Sequence, residues 1–149
     1  MPEFACAASL QPAGDDCFLI TFRDVPEACA ECLDVNAAHS LGLKSLLPAL
    51  NQRLRWGRAL PLSPALHPGE FLIYLPFTVC AKVLLCTELA RLGFALPSAE
   101  GRLRAAVRLQ MPLVEFERLA DLNHHSRIET IERAFARLGL VLQPALQVQ

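Results

Sequence analysis

The chain has 149 residues, 53% of them apolar and 19% charged, with a formal net charge of −1. That is material for one ordinary domain or two small ones, and it excludes both intrinsic disorder and a barrel enzyme. The longest nearly apolar run, Phe71 to Ala81, is broken by Lys82 and falls well short of the roughly 20 residues that cross a bilayer.

In chain order, Phe4 to Leu10 and Cys17 to Phe22 read as two strands around the turn signal Gln11-Pro12-Ala13-Gly14-Asp15-Asp16, an antiparallel hairpin. Pro26 ends the second, because it has no N–H to give to a ladder. Asp34 is a good N-cap for a helix whose apolar residues Val35, Ala38, Leu41, Leu46, Ala49, Leu50 and Leu54 recur at helical spacing. Pro48 inside it predicts a kink or an early end near Leu47. The proline-rich stretch Ala59 to Gly69 is an extended connection, and Glu70 to Leu75 is a third strand.

After Pro76 the pattern becomes helical throughout. Helices are predicted over Thr78 to Leu92, Arg102 to Leu109, Pro112 to Leu122 and Arg127 to Leu138, the last capped by Ser126, with Gly93 and Gly139 as stops. Gln110-Met111 makes the tight turn of a helix-turn-helix. The tail, Leu140 to Val148, alternates apolar residues with glutamines as a strand would, and a lone strand needs a partner edge such as a second copy supplies. The expected fold is therefore α+β: residues 1–75 form a small antiparallel sheet with one packed helix, and residues 76–149 form an all-α helix-turn-helix domain.

Charge is unevenly spread along the chain. Residues 1–52 carry seven acids against two bases, a net of −5, whereas residues 101–149 carry seven arginines against five acids, a net of +2. An acidic front suits a basic protein partner, and an arginine-bearing rear suits phosphate. The six cysteines sit in apolar patterns and read as reduced, buried thiols. Cys29-Ala30-Glu31-Cys32 is a CxxC, but with no second pair or spaced histidine it reads as two thiols in a turn. Neither a metal nor a cofactor is expected.

Four strings stand out in order along the chain: Ile20-Thr21-Phe22-Arg23-Asp24-Val25-Pro26-Glu27-Ala28 in the front half, then Leu75-Pro76, Ala81-Lys82-Val83-Leu84-Leu85, and Arg118-Leu119-Ala120-Asp121-Leu122-Asn123-His124-His125-Ser126-Arg127-Ile128. With them the chain resembles the antitoxins of the HicB family of bacterial type II toxin–antitoxin pairs. The strings are similar to the family's long, helix-turn-helix-bearing branch, and the resemblance spans nearly the whole chain. It implies a partial RNase H-like front domain without nuclease activity, which binds and blocks a small, basic, mRNA-cleaving toxin of the HicA type. It also implies a rear domain that dimerises, or forms a higher even oligomer, and represses its own operon on operator DNA.

The chain departs from the family at Gln110, where glycine is usual; in a longer loop before Arg102; and at Ala30 to Asp34, where a threonine and a glycine are usual. The recognition helix, Pro112 to Leu122, sets Arg118 against Glu115, Glu117 and Asp121, a net of −2. Carboxylates are repelled by phosphates, which argues for weakened DNA binding.

The candidate toxin-binding residues are Phe22, Asp24, Val25, Pro26 and Glu27. The DNA-binding candidates are Arg102, Arg104, Glu117, Arg118, Asn123, His124 and Arg127, with Arg108 as a further phosphate contact. RNase H-type catalysis needs converging carboxylates on metal ions, and the strand Cys17 to Phe22 holds no acid, so a non-enzyme is expected. With no basic residue before Arg23, no secretory start is expected, and the chain reads as cytoplasmic. The alternative is a stand-alone helix-turn-helix regulator whose front domain senses a ligand or redox state through Cys29 and Cys32.

Overall fold

The computed structural model describes residues 4–61 and 64–143. Two compact units emerge, one from residues 4–52, 59–61 and 64–75, the other from residues 53–58 and 76–143.

The first unit is a four-stranded antiparallel sheet in the order β3-β2-β1-β4. Strands β1 (Ala5–Pro12) and β2 (Phe18–Phe22) form the expected hairpin, with Ala8 opposite Phe22 and Leu10 opposite Ile20. Strand β4 (Glu70–Tyr74) pairs on the far side of β1, setting Cys6 opposite Ile73. The CxxC is not a turn. It is strand β3 (Cys29–Cys32), an edge strand with Ile20 opposite Ala30.

Helix α1 (Ala38–Arg55) follows a 3₁₀ turn, Val35–Ala37, capped by the Asp34 side chain. It packs on the sheet through Gly42: a Cβ there would lie 2.5 Å from Cδ1 of Ile73 and within van der Waals reach of Ile20 and Phe22. Glycine at this point lets helix and sheet approach. The expected end near Leu47 does not occur, and the helix runs on through Pro48. Pro48 and Lys44, whose carbonyl loses its usual N–H partner, are both exposed. Water therefore serves the unpaired group, and much of the cost of an interior proline is avoided.

The second unit is all helical: α2 (Phe77–Arg91), α3 (Ala99–Arg108), α4 (Leu113–Ala120) and α5 (Ile128–Arg137). Its core joins Leu85 and Leu89 of α2, Ala105 and Leu109, Phe116 and Leu119, and Ile131 and Phe135, with Leu54 from the last turn of α1 packed against it. Helix α3 begins a turn earlier than expected because the Ser98 side chain accepts the Gly101 N–H at 2.9 Å. Ser126 does not cap α5. The N-cap position is Arg127, with no side-chain cap bond, and Ser126 is buried instead. Leu140 to Gln143 carry no strand, and the rest of the expected tail strand lies outside the described residues.

Candidate functional site

In the sheet unit, the corner after β2 is built from alternating buried and exposed residues. Phe22 and Val25 are 2% and 0% exposed. Both are core residues and so cannot form a contact surface as expected of them; they hold the corner from beneath. Asp24 is half-buried, while Pro26 and Glu27 are exposed. Arg23 beside them reaches Oε1 of Glu70 at 2.9 Å and the Ala65 carbonyl at 3.0 Å, and lies 3.7 Å from the Asp24 carboxylate. Exposed Glu31 on β3 and Asp34 after it extend the acidic surface.

Cys29 is exposed and Cys32 buried. On a strand, residues three apart face opposite sides and stand about 10 Å apart, beyond disulfide reach. The pair envisaged as a redox sensor is therefore split across the sheet.

In the helical unit the expected DNA-binding residues divide into two groups. Arg102 and Glu117 are paired with each other, Nε to Oε1 at 3.1 Å. Arg102 also donates to the carbonyls of Leu96 and Pro97 at 2.8 and 3.1 Å. They act as an internal clamp between α4 and the loop before α3, and the pairing offsets one of the acids counted against α4. Arg104, Arg118, Asn123, His124 and Arg127 are exposed. Arg108 donates to the Arg137 carbonyl. Gln110 adopts a left-handed φ of 56°, and its side-chain oxygen accepts a hydrogen bond from Arg137 of α5.

Lys82 is the functional-unit residue that sequence reasoning missed. It is 1% exposed, and Nζ donates to the carbonyls of Arg118, Asp121 and His124 at 3.2, 2.8 and 2.5 Å. All three ammonium protons are thus used to close the end of α4 and the turn after it. Burial lowers its pKa to about 8, against the opposing pull of the Asp121 carboxylate and the Cys86 thiol. Burial likewise pushes Cys86 up to about 12, with Lys82 acting the other way, which leaves that thiol protonated and unreactive. The signal for Lys82 was present: a lone cation breaking an apolar run.

Beyond that turn, an open cavity of about 730 Å³ is lined by Thr78, His125, Arg127, Thr130 and Arg133, among others. His125 and Arg133 were not anticipated, and they bring two further basic side chains to the Arg127 end of α5.

Among the described residues, the sheet unit carries seven acids and two bases, a net of −5, and the helical unit twelve bases and seven acids, a net of +5. No group of three or more His, Cys, Asp or Glu side chains is placed to hold a metal among the described residues, and no described helix is long and apolar enough to cross a membrane. The fold and its surfaces thus define an α+β protein with an acidic sheet unit and a basic helical unit.

Residues 6–84 match the family described as HicB_like antitoxin of bacterial toxin–antitoxin system. That is more than half of the chain, and the protein belongs to this family. Similar curated proteins include Antitoxin HicB of Escherichia coli strain K12, 29% identical over 131 residues that cover 88% of this chain and 91% of that protein. The same identity and coverage hold for Antitoxin HicB of Escherichia coli O157:H7. Antitoxin HicB 1 of Photorhabdus laumondii is 24% identical over 88% of this chain and 79% of its own length.

Proposed function

We propose that this antitoxin neutralises a small, basic, mRNA-cleaving toxin of the HicA type through its sheet unit, and represses its own operon through its helical unit in the cytoplasm. The observation that carries this reading is the division of formal charge among the described residues, −5 on one unit and +5 on the other. An acidic surface attracts a cationic ribonuclease and repels nucleic acid, and a basic one does the reverse. Asp24, Pro26 and Glu27 form the toxin-facing corner, with Phe22 and Val25 fixing its backbone.

On the helical unit, α3, its turn and α4 act as the helix-turn-helix. Arg104, Arg118, Asn123, His124 and Arg127 face operator phosphates and base edges, joined by His125 and Arg133. Arg102 and Glu117 position α4 through their ion pair, and Lys82 holds the turn that presents Asn123 and His124. A homodimer, or a higher even oligomer, supplies two such units to a two-fold operator.

Two measurements test the two halves separately. Mixing the purified protein with the basic toxin encoded beside it should stop RNA cleavage at one equivalent; undiminished cleavage at excess antitoxin removes the first half. A gel shift on its own upstream DNA should weaken steeply with salt as counterions are released. Absence of a specific shift at every salt concentration removes the second half and leaves toxin capture standing.

A further inference from the structure

The chain has no Asp or Glu between Asp34 and Glu70, and Arg53, Arg55 and Arg58 fall in that interval around its only tryptophan, Trp56. The turn they occupy is closed by its own backbone. Helix α1 ends at Arg55, Gly57 takes a φ of 71°, and two backbone bonds close the end: Gly57 N–H to the Leu54 carbonyl at 3.2 Å and Arg58 N–H to the Arg53 carbonyl at 2.9 Å. This is a glycine-closed helix terminus, so the arginines are not needed to cap those carbonyls.

Leu54 packs into the helical core. Two residues on, about 200° further around the helix, Trp56 faces water and is 62% exposed. Arg55 and Arg58 are exposed as well, and their guanidiniums make no hydrogen bond or ion pair among the described residues. The turn also lies at the start of α3. A Cβ on Gly57 would stand 3.6 Å from Cγ of Pro97, and Pro97 immediately precedes Ser98, the N-cap of that helix.

We infer that the Arg55-Trp56-Gly57-Arg58 turn is a second contact with the DNA duplex: a lip beside the α3 N-terminus that grips one phosphodiester backbone. This inference rests on the DNA-binding reading of the helical unit and adds a surface to it. The two guanidiniums meet adjacent phosphates. The indole lies against the sugar edge, with its N–H available as a phosphate donor. A basic toxin is a poor fit, since like charges would be brought together. The stretch is acid-free in sequence and sets two arginines, one on either side of an exposed aromatic residue, as a basic cluster suited to a phosphate backbone, although exposed Glu100 stands in the first turn of α3.

Because Trp56 is the only tryptophan, its emission reports on this turn alone. The full-length protein is titrated with a fluorescein-labelled duplex of its own upstream DNA, reading duplex anisotropy and, with unlabelled duplex, Trp56 emission and its accessibility to acrylamide. Binding should shift the emission and shield Trp56 from acrylamide. The double variant Arg55→Gln/Arg58→Gln should fold with an unchanged melting temperature, bind about tenfold more weakly, and lose about 2 from the slope of log affinity against log salt.

A duplex bound with Trp56 emission unmoved and the double variant unimpaired overturns the inference while the DNA-binding reading stands. No binding by the wild-type protein overturns both. A Trp56 response to the basic toxin and none to the duplex also overturns it, making this surface a protein contact.

Discussion

In the sheet unit, Ala5, Ala7 and Ala8 of β1 are at most 1% exposed, and Gly42 brings α1 against Ile73 with no room for a methyl group. In the helical unit, one buried ammonium gathers the carbonyls of Arg118, Asp121 and His124 at the end of α4 and in the turn after it. The first unit is fixed by shape and small residues, the second by a polar node. A shape-held unit fails when volume is added, whereas a node-held unit fails when one donor is removed. In the helical unit one residue, Lys82, thus ties the end of α4 to the 121–124 turn.

The sharpest way to break the comparison is Lys82→Met, which keeps the apolar length and takes one charged donor away from three carbonyls at once. Losing hydrogen bonds from a charged donor sets the loss at about 3 kcal/mol, read by urea unfolding. Hydrogen exchange should localise it, with amides of α4 and the following turn losing protection while β1 and β2 keep theirs. Equal loss in both units would end the distinction drawn here.

The matching test of the sheet unit is Gly42→Ala. The new Cβ meets Cδ1 of Ile73 at 2.5 Å, and overpacking of this kind costs about 1–3 kcal/mol. Ile73→Val removes the offending carbon, so adding it to Gly42→Ala should return part of the loss, although Ile73→Val alone destabilises by about 1 kcal/mol. That reversal of sign, measured as a double-mutant cycle, is a signature of steric contact. If Ile73→Val worsens both backgrounds equally, Gly42 is not the point of closest approach.

Legibility in the sequence followed the same division. Strands β1, β2 and β4 were readable because their apolar alternation and turn residues are local. Strand β3 was not, since Cys-Ala-Glu-Cys has neither β-branched nor aromatic residues and becomes a strand only by pairing with β2. Arg102 and Glu117 each read as a DNA-binding candidate; they lie fifteen positions apart and meet only once α4 is docked. Lys82 was visible as an interruption in an apolar run, but its three acceptors lie 36 to 42 residues downstream. Phe22 and Val25 were drawn into the toxin-facing set by their place in a motif, although what fixes them is burial. Residue types announce local structure, and tertiary polar pairs stay hidden until the packing is known.

Raising the pH sharpens the comparison with a smaller effect. Burial holds the Lys82 pKa at about 8 in the folded chain, below the ordinary lysine value of 10.5. Between those values the unfolded chain binds more protons, so this group's contribution to stability rises with pH. Cys86 runs the other way: its folded value, about 12, exceeds 9.0, so stability is lost above the lower figure. In a Cys86→Ala background the opposing thiol is gone. The stability advantage over Cys86→Ala/Lys82→Met should then widen from pH 8 upward, by at most about 1.4 kcal/mol per pH unit. A constant gap would mean that the lysine does not titrate in this range.

The smallest effect concerns Gln110, where two local terms oppose each other. Its φ of 56° is left-handed, a conformation that favours glycine by about 1 kcal/mol, yet its side chain accepts a bond from Arg137. Gln110→Gly removes the strain and the bond together; Gln110→Ala removes the bond and keeps the strain. The expected order of stability is glycine, then glutamine, then alanine, with the first and last about 1 kcal/mol apart by thermal melting. Glutamine above glycine would show that the tie to α5 outweighs the backbone. The α3–α4 turn would then be held, like the turn beyond α4, by a polar contact rather than by its own conformation.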